Sequence, residues 1–203
     1  RNDEYENMIF KFKKYTPFIH KSSFVHPLAS VTGNVTIGKN VFIGSGAAIR
    51  GDIGEIIIED GCNVQENCII HMFPGVTVRL REGAHIGHGA IVHGAQIGKN
   101  VLVGMNSVIM DHVKIGGNSI VGAMSLITEG TIIPQRKVVM GNPAKVMKDV
   151  TDKMLEWKIR GTNIYTQLTK DSIETMKECK PLSKSQNKSS QTGTYKTWKK
   201  TKS

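Results

Sequence analysis

The sequence predicts a parallel β-solenoid, and three observations carry the prediction. Aliphatic residues recur at every sixth position, at Ile97, Val103, Ile109, Ile115, Val121, Ile127, Ile133 and Val139 and, earlier, at Val25, Val31, Ile37, Ile43 and Ile49. Glycine repeatedly follows the aliphatic residue, as in Ile43-Gly44, Ile86-Gly87, Ile97-Gly98 and Val103-Gly104. Period six is a multiple of the strand repeat of two and not of 3.6, so it suits short strands joined by tight turns and not an amphipathic helix. Such repeats stack coil upon coil around a column of aliphatic side chains. The glycines are expected at the corners, supplying positive φ for the turns.

The elements follow in chain order. Residues 1–18 form an N-terminal segment, and Arg1–Asn7 read as a leader or remnant ahead of a natural start at Met8, outside the fold. Residues 19–146 form the solenoid, with hexads enough for about six coils. Its register breaks three times. Three extra residues lie between Ile49 and Ile58, at Asp52-Ile53-Gly54-Glu55, and four between Ile70 and Leu80, around Phe73-Pro74-Gly75. One residue is missing between Val92 and Ile97. Insertions in solenoids are expected as corner loops tied to function.

Residues 147–178 read as helical, with Asp149 or Thr151 as cap and Val150, Met154, Trp157, Leu168, Ile173 and Met176 at helical spacing. Gly161-Thr162-Asn163 is expected to divide the segment into two helices covering the solenoid flank or a neighbouring subunit. Residues 179–203 hold seven lysines and no acidic residue, so seven of the ten net positive charges sit in a stretch that reads as a disordered, solvated tail. Its aromatics, Tyr195 and Trp198, form no recognised nucleic-acid module, and no nucleic-acid partner is expected. No apolar run approaches the ~20 residues that span a bilayer, so no membrane role is expected. Cys62 and Cys68 occupy a hexad position that elsewhere takes small residues such as Ala47, Ala90 and Ser107, and read as core thiols of a protein from a reducing cytoplasm.

Histidines give the repeat a chemical content. His71 follows the core residue Ile70, and His93 follows Val92. Three hexad steps separate Ile70 from Val92, one full coil, so the two histidines stack on the same face of adjacent coils. Arg50 follows Ile49 one coil earlier and extends that column. His88, two residues after Ile86, lies round the corner on the preceding face. Two stacked histidines can share a metal at about 2.0–2.1 Å per Zn–N bond. His88 would complete the site from a neighbouring chain in a closed ring, leaving one coordination position open. His20, His26, His85 and His112 have no role in this scheme.

The segments Asn63-Val64-Gln65-Glu66-Asn67-Cys68-Ile69-Ile70-His71 and His85-Ile86-Gly87-His88-Gly89-Ala90-Ile91-Val92-His93-Gly94, with Arg50-Gly51-Asp52 upstream, resemble the γ-class carbonic anhydrase family, a left-handed parallel β-helix of hexapeptide repeats with a C-terminal α-helix. His71-Met72-Phe73-Pro74, the run Val103–Asp111 and the run Trp157–Tyr165 resemble its PaaY branch of phenylacetate-degradation proteins, with the CaiE proteins of carnitine operons as near relatives. The resemblance covers roughly residues 8–180. It implies a homotrimer with Zn2+, or Fe2+ or Co2+, at each subunit interface, held by His71 and His93 of one chain and His88 of the next. It implies an intersubunit ion pair of Arg50 and Asp52, metal-side polar residues Gln65 and Asn63, and Tyr165 reaching the site from the C-terminal helix. High-turnover members carry an acidic residue right after Arg-Gly-Asp and a Glu-bearing loop after the first histidine. Here Ile53 and Phe73-Pro74-Gly75-Val76-Thr77 stand there, leaving Glu66 as the proton acceptor.

The expected function is metal-assisted hydrolysis or hydration of a CoA thioester or of CO2, the latter giving bicarbonate. Gln65 would orient the nucleophile, and Tyr165 or Glu66 would manage protons. Acyl transfer from acyl-CoA, and an inert trimeric scaffold, are the competing readings.

Overall fold

The computed structural model describes residues 8–185; residues 1–7 and most of the lysine-rich stretch 179–203 lie outside the described residues. The chain winds about seven turns of left-handed parallel β-helix and ends in one helix. Each coil is a triangle with three strand faces. The first face stacks Met8–Phe10, the leading halves of Ser30–Ile37 and Ala48–Ile58, then Ile69–His71, Ile91–His93, Val108–Ile109 and Leu126–Ile127. The second stacks Phe18–Ile19, the trailing halves of the same two long strands, then Thr77–Leu80, Gln96–Ile97, Lys114–Ile115 and Ile132–Ile133. The third stacks Phe24–Val25, Phe42–Ile43, Asn63–Val64, His85–Ile86, Leu102–Val103, Ile120–Val121 and Lys137–Gly141, and the antiparallel strand Ala144–Asp149 closes it. The hexad aliphatics form the core: Ile37, Ile43, Ile49, Ile58, Val64, Ile70, Leu80, Ile86 and Val92 are all essentially fully buried.

The structure departs from the sequence reading in four places. Residues 8–19 add strands to the stack although they carry no hexad pattern, because Met8, Ile9 and Phe10 pair with Ser30, Val31 and Thr32. The glycines after the hexad aliphatics do not supply the positive φ. That conformation falls two residues later, at Asn40, Gly46, Gly89, Asn100, Asn106 and Asn118. The preceding glycines are required by close approach of adjacent coils: a Cβ on Gly44 would meet Glu66 N at 2.7 Å, and one on Gly104 would meet Ala123 N at 2.4 Å.

The first insertion is no free loop. The strand Ala48–Ile58 runs continuously round a corner, with its register shifting between Gly33 and Val35 opposite. The second insertion is a turn anchored by Gly75 N–H donating to Ile53 O at 2.9 Å.

The fourth departure is the helix, which is single and continuous from Asp152 to Thr175, with Thr151 as its N-cap. Gly161 costs about 1 kcal/mol of helix propensity. Packing on the third face carries the helix through it, with Met154 buried beside Val138 at one end and Tyr165 seated on Phe42 and His85 further along. The helix starts beside Val138 in the last coil and reaches the first coils, where it packs on Phe24–Val25 and Phe42–Ile43. Cys62 and Cys68 are core thiols, pushed up to about 12 and about 11 by burial, which removes them as nucleophiles. Among the described residues, no helix is long and apolar enough to cross a membrane.

Candidate functional site

The hexad register places His71 directly opposite His93 on adjacent coils of the first face. Their rings meet through His71 Nδ1 and His93 Nε2, 3.3 Å apart. The other nitrogen of each ring is held by a carboxylate: His71 Nε2 lies 2.9 Å from Asp52 Oδ1, and His93 Nδ1 lies 2.8 Å from Asp111 Oδ1. Burial alone would raise the Asp52 pKa, but its bonds to the His71 ring and the Arg50 guanidinium hold it below the ordinary carboxylate range. Arg50 contacts Asp52 within the same chain and is half exposed. Phe73, from the second insertion, sets its ring edge-to-face on His93 at 5.0 Å and stays exposed to solvent.

His88 stands at the corner between the third and first faces, half exposed, with Nδ1 2.6 Å from Glu66 Oε2. Among the described residues, these three histidines alone lie against a carboxylate. Each keeps one nitrogen on the side away from its carboxylate: His71 Nδ1, His93 Nε2 and His88 Nε2.

The pair fits a shared metal. Two nitrogens bound to one tetrahedral zinc lie about 3.3–3.4 Å apart, the separation seen between the two rings. A carboxylate behind each ring fixes its tautomer and orientation, as metal-ligating histidines require. Among the described residues of one chain, no group of three or more His, Cys, Asp or Glu side chains forms a metal-holding cluster. One chain thus brings His71 and His93 together and leaves His88 on a separate edge.

Behind His88, outward-facing residues of the third face form a second cluster. Asn63 and Gln65 are buried, and Gln65 Nε2 lies 2.9 Å from Asn63 Oδ1 and 2.5 Å from His85 Nε2. Gln65 Oε1 accepts the backbone N–H of His88 at 3.2 Å. Tyr165 of the helix packs edge-to-face on His85 at 5.3 Å and on Phe42 at 5.4 Å. Its phenol is pushed up to about 12 by burial and by Glu66 and Cys68 nearby.

Lys158, also from the helix, is buried. It donates to Gly83 O at 2.6 Å and to Asn100 Oδ1. Burial lowers its pKa to about 7. Burial and the Lys158 charge lower His85 to about 3, so that ring is neutral at pH 7.

Asp111, His85 and Lys158 are additions to the sequence-derived set. Asp111 was within reach of register counting: Ile109 pairs with Val92, which sets Asp111 beside Gly94, just past His93. His85 pairs in register with Asn63.

Comparison with known proteins agrees with this architecture. The families described as "Bacterial transferase hexapeptide (six repeats)" and "Hexapeptide repeat of succinyl-transferase" match residues 16–51 and 94–129, and residues 34–71, respectively. The carnitine operon protein CaiE of Salmonella agona is 43% identical over 85% of this chain and 87% of its own length. CaiE of Escherichia coli K12 is 42% identical over 85% and 88%. A solved Bacillus cereus structure, provisionally assigned as an acetyltransferase, superposes with a TM-score of 0.82 at 32% identity, covering 84% of this chain and 99% of that one. A hexapeptide transferase family protein from Anaplasma phagocytophilum superposes at 0.78 with 29% identity, over 81% and 97%. Similarity at this identity, over nearly the whole solenoid and helix, places the chain in the hexapeptide-repeat left-handed β-helix family, alongside the carnitine operon CaiE proteins.

Proposed function

We propose that the protein is a homotrimeric, metal-dependent hydrolase or hydratase of the γ-carbonic anhydrase-like type, acting on a CoA thioester or on CO2. The observation that carries this reading is the set of three histidines, each backed by its own carboxylate, two of them facing one another at 3.3 Å. His71 Nδ1 and His93 Nε2 of one chain and His88 Nε2 of its neighbour would hold Zn2+, or Fe2+ or Co2+. When bound, the metal supplies a Lewis acid and a water of lowered pKa.

The chain's own residues do the rest. Asp52 and Asp111 hold the His71 and His93 rings through hydrogen bonds, and Glu66 stands beside the His88 ring. Gln65 Oε1, with one lone pair taken by His88 N–H, has a second free to accept a hydrogen bond from the nucleophile and so orient it. Tyr165, protonated at neutral pH, closes the third-face side of the site. Phe73, exposed beside His93, presents an apolar surface suited to the acyl part of a thioester.

Mixed trimers test the assignment. His88→Ala and His93→Ala should each lose metal while remaining folded trimers, and co-assembly of the two should restore part of it, because some interfaces then pair intact histidines. Full metal content in either single variant would overturn the reading.

A second reading is acyl transfer from acyl-CoA. The transferase naming of the matched families and of the Anaplasma relative favours it. Chelation separates the two: hydrolysis stops on metal removal, whereas a metal-independent transferase keeps its rate.

A further inference from the structure

We infer that His85 is a positioning residue that locks the Gln65 amide in the orientation set by the His88 backbone N–H, so that Gln65 is left with an acceptor and Asn63 with a donor. The inference deepens the hydrolytic reading above and rests on it for its kinetic consequence alone.

One group in the cluster has a hydrogen-bonding role that cannot change. The backbone N–H of His88 can only donate, and it points at Gln65 Oε1 at 3.2 Å. This fixes the Gln65 amide: its oxygen faces His88, and its NH2 faces the other way. The two N–H bonds of that NH2 are both used, one toward Asn63 Oδ1 at 2.9 Å and one toward His85 Nε2 at 2.5 Å.

Two consequences follow. Asn63 must turn its oxygen to Gln65, leaving its own NH2 as a buried donor without a partner. His85 Nε2 must accept, which places the ring proton on Nδ1, and that atom is also out of contact with solvent and without a partner. A protonated His85, or its Nε2–H tautomer, would set donor against donor in a buried contact. Groups in such contacts cost about 1–3 kcal/mol when unsatisfied.

The polarity suits hydrolysis at a carbonyl. Gln65 Oε1 is left to accept from a hydroxyl, and Asn63 Nδ2 is left to donate to an oxygen. Neither amide can exchange these roles while His85 accepts. The setting is built to keep His85 in this state. Lys158 brings positive charge from the helix, and Tyr165 covers the ring face. His85 and Asn63 are paired across adjacent coils, so the rigid ladder fixes their separation.

The test has two arms, both on the full chain. In the first, selectively 15N-histidine-labelled protein, metal-free and zinc-loaded, is followed by long-range 1H–15N correlation from pH 5 to 8. The expected result is a neutral His85 with its proton on Nδ1 throughout. A proton on Nε2, or a ring that titrates within that range, overturns the inference whatever the enzyme does.

In the second arm, His85→Leu removes the acceptor at similar size, and His85→Gln restores one through its side-chain oxygen. His85→Leu should keep its metal content and circular dichroism while kcat falls by about 100-fold with little change in KM, the scale of loss expected from a misplaced catalytic group. His85→Gln should recover most of the rate. Unchanged kcat in His85→Leu, or no recovery in His85→Gln, overturns the positioning role. A wild-type protein inert toward both CO2 and thioesters would sink the hydrolytic reading and leave the first arm to decide on His85.

Discussion

Acidification should destabilise the fold through His85 by an amount that follows from its burial. In the folded chain the ring is lowered to about 3 by burial and by the Lys158 charge. In the unfolded chain it titrates near the ordinary value of about 6.5. Between these two values the unfolded chain binds the extra proton, so stability rises with pH there and is lost as pH falls below about 6.5. From pH 7 to pH 5 the loss from this one group is about 2 kcal/mol. Any folded value below about 4 gives nearly the same loss, because only the unfolded ring is then protonated at pH 5.

The assay is urea denaturation at pH 7 and pH 5, at one fixed protomer concentration and with a chelator present, so that metal binding and assembly do not enter the comparison. His85→Gln keeps an acceptor for Gln65 and has no titration. The wild type should lose about 2 kcal/mol more than this variant over the interval, with the other histidines cancelling in the difference. Equal losses in the two proteins would show that His85 is free to protonate in the folded state and would refute the reasoning.

Three further outcomes are expected. Asp111→Asn and Asp52→Asn should each weaken metal affinity by about 10–100-fold, read by competition with a chromogenic chelator, because each removes the carboxylate behind one ring. Gly94→Ala should do the same without touching a ligand: its Cβ would stand 2.3 Å from Asp111 Oδ1, the atom bonded to His93. Wild-type affinity in that variant would mean the carboxylate shifts freely. For Lys158 the folded value of about 7 lies below the unfolded one, so its burial penalty is relieved as pH rises above 7. From pH 7 to pH 9 the wild type should gain about 2 kcal/mol in denaturant titrations relative to Lys158→Met, and parallel curves would contradict a buried, depressed lysine.

Register was legible in the sequence because a strict period fixes which backbone positions stack. Ile49, Ile70 and Val92 fall in one core column, and from them the pairing of His71 with His93 follows. What a period cannot give is the direction in which a side chain turns once its backbone is placed. Counting sets Arg50 in the column with His71, yet the shorter Asp52, carried on the bulged strand, takes the ring, and the long Arg50 side chain folds over it toward solvent.

Nothing local in the sequence marks His85. Its environment is built by Asn63 and Gln65 from the preceding coil and by Lys158 and Tyr165 from a helix more than seventy residues along the chain. The break expected at Gly161 failed for a related reason: local propensity favours a stop, and the third face supplies enough burial to carry the helix through.

The course of that helix bears on how the molecule comes apart. A stack in which each coil touches only its neighbours behaves as a one-dimensional array, free to fray from either end and to populate partly unwound forms. Here a single rod of 24 residues, about 36 Å long, starts on Val138 in the last coil, ties to Gly83 through Lys158, and lies on Phe42 through Tyr165. Layers from the first coils to the last share that one brace along the third face. Peeling a terminal coil therefore means giving up contacts with the rod that also serve the middle of the stack. The array is converted from a zipper into a unit that opens all at once, and hydrogen exchange along it should show one common protection free energy rather than a gradient from the tips inward.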